Sequence, residues 1–209
     1  TGFRNVDSIN GGAGTDEVLA TVTGTTATTG VLTTTNVESL ELINTGTSVL
    51  NVAGITGGTS TAPTSIEISG AHTATTISGI DAVNQKIGIG EADEGGAATT
   101  GGTFTLSLAD ATGTADNLTI DMNRGGTNTI AATGIETVTL AHSTTDTTVT
   151  DNILTVSAIN AGEIIVTGSN ADTNQTLNLG TLDTDTTILT ASAYQGGLTV
   201  SAGAATATT

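Results

Sequence analysis

The sequence predicts an all-β fold, a parallel β-helix or β-solenoid built from short strands. Three observations predict it. Threonine supplies 50 of the 209 residues, and Thr, Val and Ile are the residues that favour strands. Aliphatic and polar residues alternate in short runs, the period of a half-buried strand. The runs recur at close steps, with Gly, Asn and Asp between them as turn formers. Strands this short do not fill a deep two-layer core. They suit a coil in which each strand stacks on its copy in the next turn. The alternative is two tandem small β-sandwich domains.

Taken in order, strands are expected at 40–42, 49–52, 65–68, 104–108, 118–120, 137–140, 154–156, 164–166, 177–179, 188–189 and 198–200. Each puts its aliphatics on one face and Thr, Ser, Asn or Glu on the other. In the last third the starts fall near Leu154, Ile165, Leu177, Ile188 and Leu198, a step of about ten to twelve residues. No stretch sustains a 3.6-residue period, and β-branched residues are everywhere, so no helix is expected.

A five-residue pattern also recurs: Asn or Gly, aliphatic, acid, small residue, aliphatic. It reads Asn5-Val6-Asp7-Ser8-Ile9, Asn36-Val37-Glu38-Ser39-Leu40, Gly79-Ile80-Asp81-Ala82-Val83 and Gly134-Ile135-Glu136-Thr137-Val138. It suits a turn entering a strand, with aliphatics inward and the acids Glu38, Asp81 and Glu136 outward. The stretch at about 91–103 is acidic, Gly-rich and poor in strand signal, and is expected to be a loop or linker. Residues 1–209 then form one continuous array. Because the chain opens at Thr1 rather than Met, the array is expected to be a segment of a longer protein.

Composition excludes several functions. Lys and Arg number 3 against 20 Asp and Glu, for a net charge of −17. Arg4, Lys86 and Arg124 stand singly, so no basic surface exists to bind nucleic acid. Without Cys there is neither a disulfide framework nor a Cys-ligated zinc site. No apolar run reaches the roughly 18 residues of a membrane helix.

One motif carries chemistry. Gly11-Gly12-Ala13-Gly14-Thr15-Asp16-Glu17-Val18-Leu19 fits G-G-x-G-x-D-x-U-x at every fixed position. Glycines permit a tight turn whose carbonyls can face a cation, and Asp16 offers the hard oxygen that calcium takes. Val18 points inward. The nine residues from Gly2 to Asn10 lie in the same register, with Asp7 as the acid and Ile9 inward. They depart from the pattern at Phe3 and Asn5. The candidate calcium ligands are Asp7, Gly11, Ala13 and Asp16. Weaker candidates are Glu91, Asp93 and Glu94 in the Gly-rich stretch and the alternating pair Asp183 and Asp185.

These turns, at 2–19, resemble the calcium-binding repeat of RTX proteins, which bacteria export by type I secretion. The Thr-rich remainder, with its Asn-Val-Glu-Ser-Leu and Gly-Ile-Glu-Thr-Val motifs, resembles the β-solenoid body of bacterial surface-layer proteins and large RTX adhesins. The resemblance implies an extracellular protein at the bacterial cell surface that folds with calcium after export. It implies partners that are further copies of itself in a lattice, with cell-surface polysaccharide held through another part of the chain.

Some solenoids are polysaccharide-degrading enzymes, which need a carboxylate pair with a supporting cast. Here the aromatics are Phe3, Phe104 and Tyr194, and His72 and His142 lack any ligand spacing. Both His residues are expected at the surface or in turns. No catalytic residue is nominated. The expectation is a structural protein, with a spacer or ligand-binding module of an adhesin as the alternative.

Overall fold

A computed structural model describes residues 8–22, 25–56, 64–70, 73–90, 102–122, 126–132, 134–142, 153–157, 161–168 and 176–201. The chain is an all-β parallel solenoid. Two short strands, β1 (Ser8–Asn10) and β4 (Thr33–Thr35), pair on one side of the first coils. The body is two eight-stranded sheets. The first contains β2 (Glu17–Val22), β5 (Ser39–Asn44), β7 (Thr64–Ser69), β9 (Gln85–Ile89), β11 (Asn117–Met122), β13 (Thr137–His142), β15 (Glu163–Gly168) and β17 (Ile188–Tyr194). The second contains β3 (Thr25–Val31), β6 (Thr47–Asn51), β8 (Ala74–Ile80), β10 (Gly102–Leu108), β12 (Gly126–Ala132), β14 (Ile153–Ser157), β16 (Thr176–Thr181) and β18 (Gly197–Ser201). Consecutive strands alternate between the sheets, so each coil gives one strand to each. Parallel neighbours require such crossovers, whereas a sandwich of hairpins would pair its strands antiparallel.

The step of about ten to twelve residues is therefore half a coil. A whole coil spans 20 residues where Asn117 faces Thr137 and 33 where Ile87 faces Ile120. That longest coil contains the acidic Gly-rich stretch. Both sheets pass it unbroken, β8 pairing with β10 and β9 with β11. Gly102 and Thr103, at the far end of the expected loop, already lie in β10.

Alternation builds the core. Val18, Leu40, Ile66, Ile87, Ile120, Leu140 and Val166 stand directly opposite one another in successive strands of the first sheet. Beside them runs Ala20, Leu42, Ile68, Ile89, Met122 and His142. From the second sheet Leu50, Ile77, Leu106 and Ala132 line up the same way. Most of these side chains are fully buried. Each buried Leu or Ile contributes about 1.5–3 kcal/mol, and the stacking replaces the aromatic core that the composition lacks.

Strands β3, β8 and β12 carry no aliphatic run that would announce them. Their sequences, such as Thr25-Thr26-Ala27-Thr28-Thr29-Gly30-Val31, are mostly Thr, Gly and Ala. They are strands because their backbones pair with neighbours a coil away, β3 with β6 and the others on both sides, which satisfies their N–H and C=O groups.

Candidate functional site

The Gly-rich turn between β1 and β2 holds the strongest sequence candidate. Gly12 and Gly14 have φ of 94° and 136°, which glycine adopts without strain. The Asn10 side-chain oxygen accepts the Gly12 N–H at 3.0 Å and the Asn36 amide at 3.1 Å, tying the turn to the next coil. Gly11 must be glycine, because a Cβ there would collide with the Asn36 carbonyl oxygen and lie 2.6 Å from the Asp16 Cβ. The turn thus closes directly over Asp16.

Asp16 is braced by the coil below. Its N–H donates to Oε2 of Glu38 at 2.9 Å. Its carbonyl accepts the N–H groups of Glu38 at 3.0 Å and Ser39 at 3.2 Å. Its own Oδ2 is buried and accepts no hydrogen bond. A buried carboxylate oxygen without a donor is costly. That oxygen fits one ligand position of a calcium ion, and Glu38 brings a second carboxylate to the same corner. Calcium takes about 6–8 oxygens, so these two side chains could supply only part of its shell. Asp7, the other expected acid, lies outside the described residues.

The same corner occurs again, at a place the sequence did not nominate. The Asp116 N–H donates to Oε2 of Glu136 at 2.8 Å. The Asp116 carbonyl accepts Glu136 N–H at 3.0 Å and Thr137 N–H at 3.1 Å. Its Oδ2 is likewise buried without a hydrogen-bond partner. A glycine again adjoins the carboxylate, since a Cβ on Gly113 would sit 3.0 Å from Oδ1. The signal available in sequence was the recurrence of the five-residue pattern at Glu38 and Glu136. Its acid was expected to point outward, as the exposed Asp81 does, but Glu38 and Glu136 are half-buried. Both glutamates turn along the coil corner and accept a backbone N–H from the preceding coil.

Asp183, Asp81 and Asp110 hold turns. Oδ1 of Asp183 accepts the N–H of Asp185 at 3.0 Å. Asp183 and Asp185 are therefore neighbours within one turn. Among the described residues no three His, Asp or Glu side chains come together to hold a metal ion. Asp81 accepts from the Asn84 amide at 2.7 Å and from the Val83 N–H at 3.1 Å. The Asn84 bond, partly opposed by burial, holds its carboxyl below the usual carboxylate range. The Thr112 hydroxyl, at 2.6 Å, lowers Asp110 in the same sense. Glu91, Asp93, Glu94 and His72 lie outside the described residues. Asp81, Asp110 and Asp116 line an acidic groove of about 570 Å³, with Val83 at its rim.

His142 overturns its expectation. It ends β13 inside the solenoid and is fully buried. Its Nδ1 shares a hydrogen bond with the Tyr194 hydroxyl at 2.8 Å, two coils away, and the rings stack with centroids 5.9 Å apart. Nε2 is buried without a partner. Desolvation pushes the imidazole down to about 4. The room for this contact comes from Gly168 in the intervening strand, where a Cβ would collide with the His142 carbonyl oxygen.

No family model, curated protein or solved structure matches the chain. Among the described residues no helix is long and apolar enough to cross a membrane.

Proposed function

We propose that this chain is a structural, calcium-stabilised segment of a bacterial cell-surface scaffold, part of a surface-layer lattice. The observation that carries the reading is how its acids are used. Glu38 and Glu136 brace the preceding coil. Asp81, Asp110 and Asp183 close their own turns. Carboxylates committed to backbone N–H groups build coil corners rather than act on a substrate. Calcium would be held first at the Asp16 corner, with Asp16 and Glu38 as side-chain ligands and further oxygens from the Gly11-to-Gly14 turn and Asp7. A divalent cation would satisfy the orphaned oxygen and reduce the self-repulsion of a chain at −17.

The alternative, a ligand-binding module of an adhesin, is favoured by the groove beside Val83, which is 80% exposed. Electron microscopy after adding millimolar calcium to the purified chain separates the two. Ordered sheets or filaments support the lattice segment. A dispersed monomer that binds cell-surface glycans would replace it with the adhesin module.

A further inference from the structure

Charge is divided unequally between the two sheets. Glu17, Glu41, Glu67, Lys86, Asp121 and Glu163 all lie in strands of the first sheet. No strand of the second sheet, from β3 to β18, contains a charged residue. A chain with 20 acids thus keeps the strands of one lateral face neutral. Core burial does not account for this, because alternate positions of a strand point outward. In β10, Thr103 and Thr105 are exposed, while Phe104 and Leu106 are buried.

The face is also even. Across β6, β8, β10 and β12, Thr47, Ala74, Thr103 and Thr129 stand in one row. Val49, Thr76, Thr105 and Ala131 stand in the next. No side chain in either row is larger than Val. Eight strands about 4.8 Å apart span roughly 34 Å, and five residues at about 3.3 Å make the face roughly 16 Å wide. Two such faces in contact bury about 1,100 Å², which clears the ~1,000 Å² expected of a specific interface. Further coils before β2 or after β18 would lengthen both sheets along the solenoid axis and leave this lateral face uncovered.

We infer that the outer face of the second sheet packs against the same face of a second copy, sheet on sheet and about 10 Å apart. Neutrality confined to one face is what a contact between two acidic copies requires. At −17 each, they repel wherever their acids meet, and here no strand brings one. A basic partner would instead be drawn to the first sheet and the turns, where the described acids stand. One patch serves both molecules, so the contact closes as a two-fold dimer. The inference rests on the self-assembly reading above and names one contact within it, but it requires neither calcium nor a cell surface.

Sedimentation in chelator buffer tests it. The unsubstituted chain should pass from monomer to dimer with concentration and stop there. Raising salt from about 0.05 M to about 0.5 M should strengthen the dimer, because salt screens the net repulsion and the contact has no ion pair to lose. Thr105→Glu and Thr103→Glu, both at exposed positions of the face, should each weaken the dimer at least tenfold. Thr119→Glu, at an exposed position of the first sheet, should leave it unchanged. A wild-type monomer at every concentration overturns the inference, as does equal weakening by substitutions on the two sheets. A monomer that binds cell-surface glycan and loses it in Thr105→Glu overturns it too, and gives the face to carbohydrate. A dimer in chelator with no sheets on adding calcium would sink the lattice reading alone. Calcium-induced sheets from a chain that is monomeric in chelator, formed equally by Thr105→Glu, would sink this contact alone.

Discussion

Asn44 and His142 hold the same place in the two halves of the solenoid, each ending a strand and each facing a glycine in the next coil. The first half fills the place with an amide that is fully satisfied. Asn44 donates to Ser48 and Thr75 at 2.8 Å each and accepts the Gly46 N–H at 3.0 Å. The second half fills it with an imidazole that has one partner and one orphaned nitrogen. The backbone frame tolerates either, because coil stacking and the small residue at 70 or 168 define the space. The polar filling decides how the half responds to solution conditions.

The largest contrast should come from closing that space. Gly168→Ala adds a methyl into the His142 carbonyl at φ 133°. We expect a loss of about 4 kcal/mol from combined strain and overpacking. Gly70→Ala meets the Asn44 carbonyl oxygen at 2.6 Å, a less severe clash, and should cost about 2 kcal/mol. Denaturant melts of both variants check the order. Equal losses would mean that the two corners yield alike.

Acid should separate the halves next. His142 is held near 4 in the folded chain, below its ordinary 6.5. The unfolded state therefore binds more protons between those values, and stability falls as pH drops from about 6.5 to 4. The full penalty is roughly 3 kcal/mol. His142→Asn, which copies the first half, should flatten that stretch of the pH profile. Hydrogen exchange should show β13, β15 and β17 opening in acid before β5 and β7. Simultaneous opening would break the contrast.

The smallest difference is expected where the halves agree. Glu38→Ala and Glu136→Ala each remove an acceptor from a part-buried backbone N–H. Each should cost about 1–2 kcal/mol, with Gln restoring most of the loss at both. Unequal costs would show that one glutamate has a further task.

The solenoid was legible in the sequence because its core is made by alternation. All eleven expected runs, from Leu40 to Val200, lie in or at the edge of strands. The strands β3, β8 and β12, mostly Thr, Gly and Ala, were not legible. Their pairing is imposed by neighbours a coil away, and composition does not record it. Asp16 was found through its glycine spacing. Asp116 was missed because its turn has Gly113 without the full glycine pattern, and the two turns become alike only when the coils stack. His142 was misplaced for a related reason. Its burial depends on Gly168 and Tyr194, which lie 26 and 52 positions on.

Melting the chain in millimolar calcium and again in chelator, alongside Asp16→Asn, tests the calcium-stabilised scaffold most directly. With calcium at about 100-fold its Kd, the wild-type Tm should rise by roughly 5–10 °C. Asp16→Asn should lose most of that rise. Superimposable wild-type curves in calcium and chelator would contradict the account.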